Sequence, residues 1–127
     1  MAVLGNIVFD EGLGQFADVG SAKTLYILNM STDPADRSQV VDTDHRLAVF
    51  TGSTIYGSPA DRGAGGRQVT IAAISTGEID VTGTARRWAI TDTDVLLAAN
   101  TLSDSQSVTT GNTFTLAAFT IGIPDPA

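Results

Sequence analysis

Strand-length runs separated by turn residues recur about every ten residues in the second half of the chain, and this spacing most limits the possible folds. The runs are residues 68–74, 79–82, 85–91, 95–101, 105–109 and 113–123. Between them stand short segments rich in Ser, Thr, Gly, Asp and Asn, which favour turns. Closely spaced strands of this kind are typical of a β-sandwich or a jelly roll.

The first half of the chain adds three strands and one short turn of helix. The strands are predicted over residues 3–9, 23–30 and 46–51. Apolar side chains on both faces of the second strand indicate that it is buried on both sides. Asp33 followed by Pro34 favours a loop or a short helical turn over residues 31–36. We therefore predict an all-β fold, a single antiparallel β-sandwich or jelly-roll-like domain of about eight strands over residues 1–127.

The composition agrees with strands and limits the partners. Of the 14 acidic residues only Glu11 and Glu78 are glutamates, and Lys23 is the sole lysine, so helix-forming charged residues are scarce. A net charge of −7 repels phosphate, which predicts no nucleic-acid partner. No apolar run approaches the roughly 18 residues of a membrane-spanning helix, so no membrane partner is expected. The chain has no cysteine and hence no thiolate metal site or thiol nucleophile.

A glycine-rich segment over residues 57–67 interrupts the strand pattern. It contains four glycines and no apolar periodicity, which predicts the longest and most mobile loop. Arg62 and Arg67 flank its glycines, and Arg86 and Arg87 are two more of only seven basic residues. These arginines are either solvated surface charges or a local basic patch that docks on an acidic partner.

The residues with catalytic or metal-binding chemistry form no recognisable motif. His45 lies beside Asp42 and Asp44, which could orient a general base, but no nucleophile motif accompanies it, and a turn residue is the alternative. The pairs Asp42/Asp44 and Asp92/Asp94 lack the glycine and distant glutamate of a calcium loop, so capping of turn amides is favoured. We therefore predict no catalytic residue, no metal and no cofactor, and hence a protein that is not an enzyme.

Three aromatic residues allow two interpretations. Trp88, Tyr26 and Tyr56 could form a stacking platform for a sugar. Alternatively, Trp88 lies in the core, partly covered by an arginine stem. An aromatic share of 6% counts against the platform, since sugar sites usually need several exposed rings.

The C-terminal part of the chain resembles a known class of proteins. The segments VTGTARRWAITD (81–92), VLLAA (95–99) and QSVTTGNTFTLAAFTI (106–121) carry the resemblance. They follow the order of a Gly-Thr-Ala turn, an aromatic strand, an acidic turn, an apolar strand, Thr-Gly-Asn and a Thr-rich final strand. This order is similar to that of small structural virion proteins of tailed bacteriophages, mainly over residues 81–123. The first half of the chain resembles no family.

The resemblance implies a non-enzymatic capsid decoration or cement protein on the outer surface of the virion. Its partners would be the major capsid protein or other virion subunits, and it would form a homo-oligomer. A neck, tail or fibre-associated protein and a carbohydrate-binding β-sandwich are the alternatives. The candidate interface residues are the apolar ends and the loop arginines: Val3, Leu4, Ile7, Arg62, Arg67, Ile121 and Ile123. The apolar ends could equally be core strands.

Overall fold

The computed structural model describes residues 3–4, 23–51, 55–57, 60–61, 67–93 and 95–123, and it confirms the all-β prediction. These residues form ten strands, rather than about eight, and one short helix. The strands are β1 (Val3–Leu4), β2 (Lys23–Leu28), β3 (Arg46–Phe50), β4 (Ala60–Asp61), β5 (Arg67–Ile71), β6 (Ile74–Glu78), β7 (Gly83–Asp92), β8 (Val95–Val108), β9 (Thr113–Leu116) and β10 (Phe119–Ile123); helix α1 is Arg37–Val41. Every strand pair is antiparallel.

Five strands form the largest sheet, in the order β1-β8-β7-β2-β3. Strand β2 lies inside it, between β7 and β3. Leu25 and Ile27 point to one face, and Tyr26 and Leu28 to the other, and all four are buried. The predicted burial of this strand on both sides is confirmed.

The second layer consists of two short antiparallel sheets, β10-β5-β4 and β6-β9, which we call the ladder. Ile71 pairs with Phe119 in the first of these sheets, and Ile74 pairs with Leu116 in the second. Two alanines on each side lie between these pairs: Ala72, Ala73, Ala117 and Ala118. The predicted single strand over 113–123 is therefore two strands, β9 and β10, which pair with β6 and β5 respectively.

Strand β6 occupies the segment predicted as a turn, and this prediction was wrong. The turn was placed at 75–78 and the strand at 79–82, whereas the strand runs from Ile74 to Glu78. Ile79 lies outside the strand; it forms an isolated bridge to Ala48, and its backbone is hydrogen-bonded to Gly111 and Asn112. The ring of Phe114 lies directly over Gly77, where a Cβ atom would stand 2.1 Å from its Cε1. Gly77 therefore serves a close approach between two strands rather than a turn.

The glycine-rich segment is not wholly irregular. Ala60 and Asp61 form β4, which pairs with Gln68 and Arg67 at the start of β5. The amide of Gly57 donates to the Thr70 carbonyl at 3.0 Å, which also anchors the start of the segment. The remaining residues of the predicted mobile loop lie outside the described part of the chain.

The helix begins three residues later than the sequence indicates. Asp36 is its N-cap and accepts a hydrogen bond from the Gln39 amide at 3.3 Å. The Gln39 side chain in turn accepts from the Ala35 amide at 2.8 Å. The first bond satisfies an amide that the first turn of a helix leaves free, and the second ties the residue before the cap to the helix, so together they fix the start of the helix.

The core lies mainly between the five-stranded sheet and strands β5, β6, β9 and β10 of the ladder. Leu25, Leu47 and Trp88 from the sheet meet Ile71 and Phe114 from the ladder in one cluster. A smaller cluster on the other face of the sheet holds Tyr26, Leu28 and the helix residue Val40. The two packed layers make the fold sandwich-like.

Candidate functional site

A groove of about 540 Å³ opens between the two layers. One wall is the second half of β8, from Asn100 to Val108, and the other is residues 114–120 of β9 and β10. Ile27, Ile79, Ala85 and Trp88 form its apolar floor. The groove is thus built where the sandwich-like fold is open at one side.

Both walls present strand edges. Every residue from 114 to 120 borders the groove. Because successive side chains of a strand point to opposite faces, this run favours an arrangement in which one edge of β9 and β10 borders the groove. Among the described strands, β9 pairs only with β6 and β10 only with β5.

The second half of β8 is also an edge. Strand β1 pairs with β8 only at Ala98 and Ala99, so among the described residues the rest of this edge pairs with no strand. The amide of Thr101 donates to Oδ1 of Asn100 at 2.8 Å. This bond satisfies the first amide beyond β1 with a neighbouring side chain instead of another strand.

A wide bulge shapes this wall. Arg87 pairs with Thr101, and Ala85 pairs with Gln106. Between these two pairs β7 has one residue, whereas β8 has four. The predicted turn at Ser103-Asp104 is therefore a bulge within one strand, because β7 continues alongside. Leu102, at the start of the bulge, packs against the main core and borders the groove.

Trp88 lies at the floor of the groove, and its predicted core position is confirmed. Its side chain is 7% exposed, and its ring centroid is 4.4 Å from that of Phe119 with the planes tilted by 35°. Tyr26 is buried on the opposite face of the sheet, since it pairs beside Ala89 whereas Ile27 pairs with Trp88. The three rings named from the sequence therefore do not share one surface.

Tyr56 packs against the core at a different place. The Nζ atom of Lys23 lies 5.9 Å from the centroid of its ring. Burial raises the pKa of the Tyr56 phenol above its ordinary value, since desolvation disfavours the charged form. Among the described residues its hydroxyl has no hydrogen-bond partner.

The rim of the groove is polar and carries little charge. Asp104 is the one ionisable side chain among the described residues that border it. Uncharged hydrogen-bonding side chains make up the rest of the rim: Asn100, Thr101, Ser105, Gln106, Thr115 and Thr120.

The residues considered for catalysis and metal binding are engaged in local structure. The Nδ1 atom of His45 lies 2.9 Å from the Gln39 carbonyl oxygen, so it donates to the end of the helix. Asp42 accepts from the Asp44 amide at 2.9 Å, which confirms the turn-capping interpretation for this carboxylate. Asp92 accepts from the Thr93 hydroxyl at 3.3 Å, and Asp94 lies outside the described residues. No group of three His, Cys, Asp or Glu side chains that could hold a metal ion occurs in the described ranges.

The described arginines named from the sequence lie on two strands that belong to different sheets. Arg87 forms an ion pair with Asp33 and donates to the Ser31 carbonyl at 3.0 Å. Arg86, the next residue of β7, is exposed. Arg67 lies in β5, and Arg62 is outside the described residues.

The candidate interface residues at the chain ends lie in strands where they are described. Val3 and Leu4 form β1 at the edge of the five-stranded sheet. Ile121 and Ile123 lie in β10, and Ile121 is 7% exposed within the main core. For Ile121 the structure therefore supports the core alternative. Ile7 lies outside the described residues.

The groove itself was missed in the sequence, and one signal could have indicated it. The polar stretch around Ser103-Asp104 contains no glycine or proline, which is typical of a bulge as well as a turn. The opposite wall left no such signal, because Ala117 and Ala118, between β9 and β10, are not turn residues.

The comparisons with known proteins add no relative. No protein-family model, curated protein or solved structure matches the chain. In the part that the structure describes, no helix has the length and apolar character needed to cross a bilayer.

Proposed function

We propose that the protein is a non-enzymatic structural subunit of a tailed-phage virion, of the capsid decoration or cement type. The observation that carries the proposal is the groove, because it exposes two strand edges beside an apolar floor. Strand edges are the surfaces through which β-proteins add further strands from neighbouring subunits. A subunit that joins an assembly needs such a surface.

The segment that resembles virion proteins also builds most of this surface. Residues 81–123 contain β7 to β10, which supply both walls of the groove and Trp88 on its floor. The resemblance and the groove therefore concern the same part of the chain. This coincidence favours attachment to a virion over an unrelated role.

The charge favours a place on the outside of the particle. A net charge of −7 would be repelled by packaged nucleic acid but is tolerated on the outer face of a shell. The partner in this proposal is the major capsid protein, and several copies of the protein would bind as a homo-oligomer.

Co-sedimentation tests the proposal. Shells are assembled from the major capsid protein encoded nearest to this chain and incubated with increasing amounts of the purified protein. We expect saturable co-sedimentation and a higher temperature of shell disruption. Co-sedimentation with isolated tails but not with shells would replace decoration by a neck, tail or fibre role, and binding to neither would overturn the virion assignment.

A carbohydrate-binding module is the second candidate, and one observation favours it. The Trp88 and Phe119 rings, whose planes are tilted by 35°, lie at the groove, and hydroxyl and amide side chains surround it. Saturable binding of an oligosaccharide on a glycan array, lost in Phe119→Ala but kept in Val81→Ala, would favour this candidate. Val81 is a suitable control because it is 44% exposed.

A further inference from the structure

We propose that the groove takes up an extended peptide of about six to eight residues, which pairs as an added β-strand. The peptide alternates apolar with uncharged polar side chains and carries a basic residue opposite Asp104. The inference rests on the proposed function for its source, a segment of the neighbouring shell subunit.

The first argument is the pairing capacity of the walls. The second half of β8 and residues 114–120 face each other across the groove with edges that pair with no other described strand. Unpaired backbone amides and carbonyls are the groups that a peptide strand bonds and that a sugar or an apolar ligand does not require. The edges therefore favour a peptide.

The second argument is that the same edge already accepts a strand. In β1, Val3 pairs with Ala99 and Leu4 with Ala98, antiparallel to β8. Among the described residues, the part of the edge that pairs with no strand begins beyond Ala99, and the Thr101 amide there is bonded to the Asn100 side chain. A peptide in the groove would continue along an edge whose geometry is suited to antiparallel pairing.

The third argument is the apolar content of the groove. Leu102, Val108, Leu116 and Phe119 border it and are only partly buried. Alternate side chains of an added strand would cover them and remove apolar surface from water. The other side chains of the strand would point outward and can be polar.

The fourth argument is charge. Asp104 is the only ionisable side chain among the described residues of the groove, and the whole chain carries −7. A peptide with a lysine or arginine is attracted to this site, whereas an acidic peptide is repelled.

A direct test uses a synthetic peptide with blocked ends, in which Val and Thr alternate between two terminal lysines. Two matched peptides serve as controls, one with every Thr replaced by Pro and one with glutamate in place of lysine. Trp88 is the only tryptophan and lies at the floor, so its fluorescence reports binding. We expect the lysine peptide to bind and to slow amide exchange over residues 101–108 and 115–120. The proline peptide should not bind, because it lacks alternate amides.

Two alanines that lie between strands of the second layer provide matched variants. Ala118 and Ala72 are both exposed, but only Ala118 borders the groove. We expect Ala118→Arg to raise the dissociation constant of the lysine peptide at least about tenfold and Ala72→Arg to leave it unchanged. Circular dichroism establishes that both variants fold.

The outcomes separate this inference from the proposed function. If Ala118→Arg co-sediments with shells as well as the unchanged protein, the groove is not the docking site and the virion role stands. If the unchanged protein fails to co-sediment, the virion role is wrong, and the peptide measurements alone decide whether the groove binds a strand.

Equal binding of the proline peptide, or no binding of the lysine peptide up to about 1 mM, would overturn the inference. Trp88 fluorescence changes with maltotetraose but not with the peptide would assign the groove to a sugar. Dimers that form without peptide and disappear in Ala118→Arg would assign it to a second copy.

Discussion

The ring of Phe119 packs on the indole of Trp88, and the two residues come from different layers of the fold. Trp88 lies in β7 of the five-stranded sheet, and Phe119 is the first residue of β10 in the second layer. This contact therefore joins the layers beside the groove. Its loss would affect both the stability of the fold and the shape of the groove.

Replacing Trp88 by alanine tests its role as a core residue. We expect a loss of about 3–5 kcal/mol in the free energy of unfolding, because a large buried ring is removed and a cavity remains. Urea unfolding followed by circular dichroism measures the loss. Val81→Ala, at a site that is 44% exposed, should change stability by less than about 0.5 kcal/mol. Similar stability of Trp88→Ala and Val81→Ala would contradict the core position.

Gly77 gives a second test, since it is close to Phe114 rather than in a turn. We expect Gly77→Ala to cost about 1–3 kcal/mol in the free energy of unfolding, because the new methyl group would overlap the ring. In the background of Phe114→Leu the same change should cost less. A double-mutant cycle measures this coupling. Equal costs of Gly77→Ala in the two backgrounds would show that the ring is not the obstacle.

Gly111 is a useful contrast because its constraint is conformational. Its φ is +87°, and a Cβ atom there would meet nothing within 4 Å. We expect Gly111→Ala to cost roughly 1 kcal/mol and Gly111→Asn to cost less, since asparagine tolerates positive φ better. Thermal unfolding of the two variants checks this order, and an equal or reversed order would contradict it.

Gly77 shows why the sequence predicted the fold class but not all of its strands. The alternation of residues in β2 is a local pattern, and this strand was predicted correctly. Gly77 has the composition of a turn, yet it lies in a strand because Phe114, remote in sequence, packs over it. Likewise, Ala117 and Ala118 are not turn residues, yet β9 ends before them and β10 begins after them, opposite the interruption between β5 and β6. Contacts between remote residues overrode local propensity at both places, and the groove depends on such contacts.

The ion pair between Arg87 and Asp33 fixes the segment before the helix against the sheet. Their side chains are 12% and 29% exposed, respectively, so both are largely shielded from solvent. We expect Asp33→Ala to cost about 1–3 kcal/mol, because it leaves a shielded guanidinium without its carboxylate. The cost should be smaller in the Arg87→Met background, where no charge is left unpaired. Urea unfolding of the four proteins measures the coupling, and additive costs would show that the pair contributes no stability.

We expect the N-cap Asp36 to make the stability of the protein depend on pH. The hydroxyl of Ser38 and then the Gln39 amide donate to its carboxylate and lower its pKa below the ordinary 3.8. A lowered pKa in the folded state means that the stabilisation is complete above about pH 3.8 and is lost as the pH falls through the folded pKa. The stability difference from Asp36→Asn should therefore change only in this acidic range. Urea midpoints from pH 7 to pH 2 measure it, and a difference that stays constant throughout would contradict the cap.

Removal of the chain end tests whether β10 belongs to the fold or serves only for docking. The sequence allowed Ile121 to be either an exposed docking residue or a core residue, and its side chain lies in the main core opposite Val69. We expect deletion of residues 121–127 to destabilise the protein, because it removes three of the five pairs between β10 and β5 together with the buried Ile121. Deletion of residues 124–127 should cost less, since it keeps all five pairs between β10 and β5 and the buried Ile121. Circular dichroism and urea unfolding compare the two truncations. A fully stable 121–127 deletion that no longer binds shells would instead return the docking role to this end of the chain and move it away from the groove.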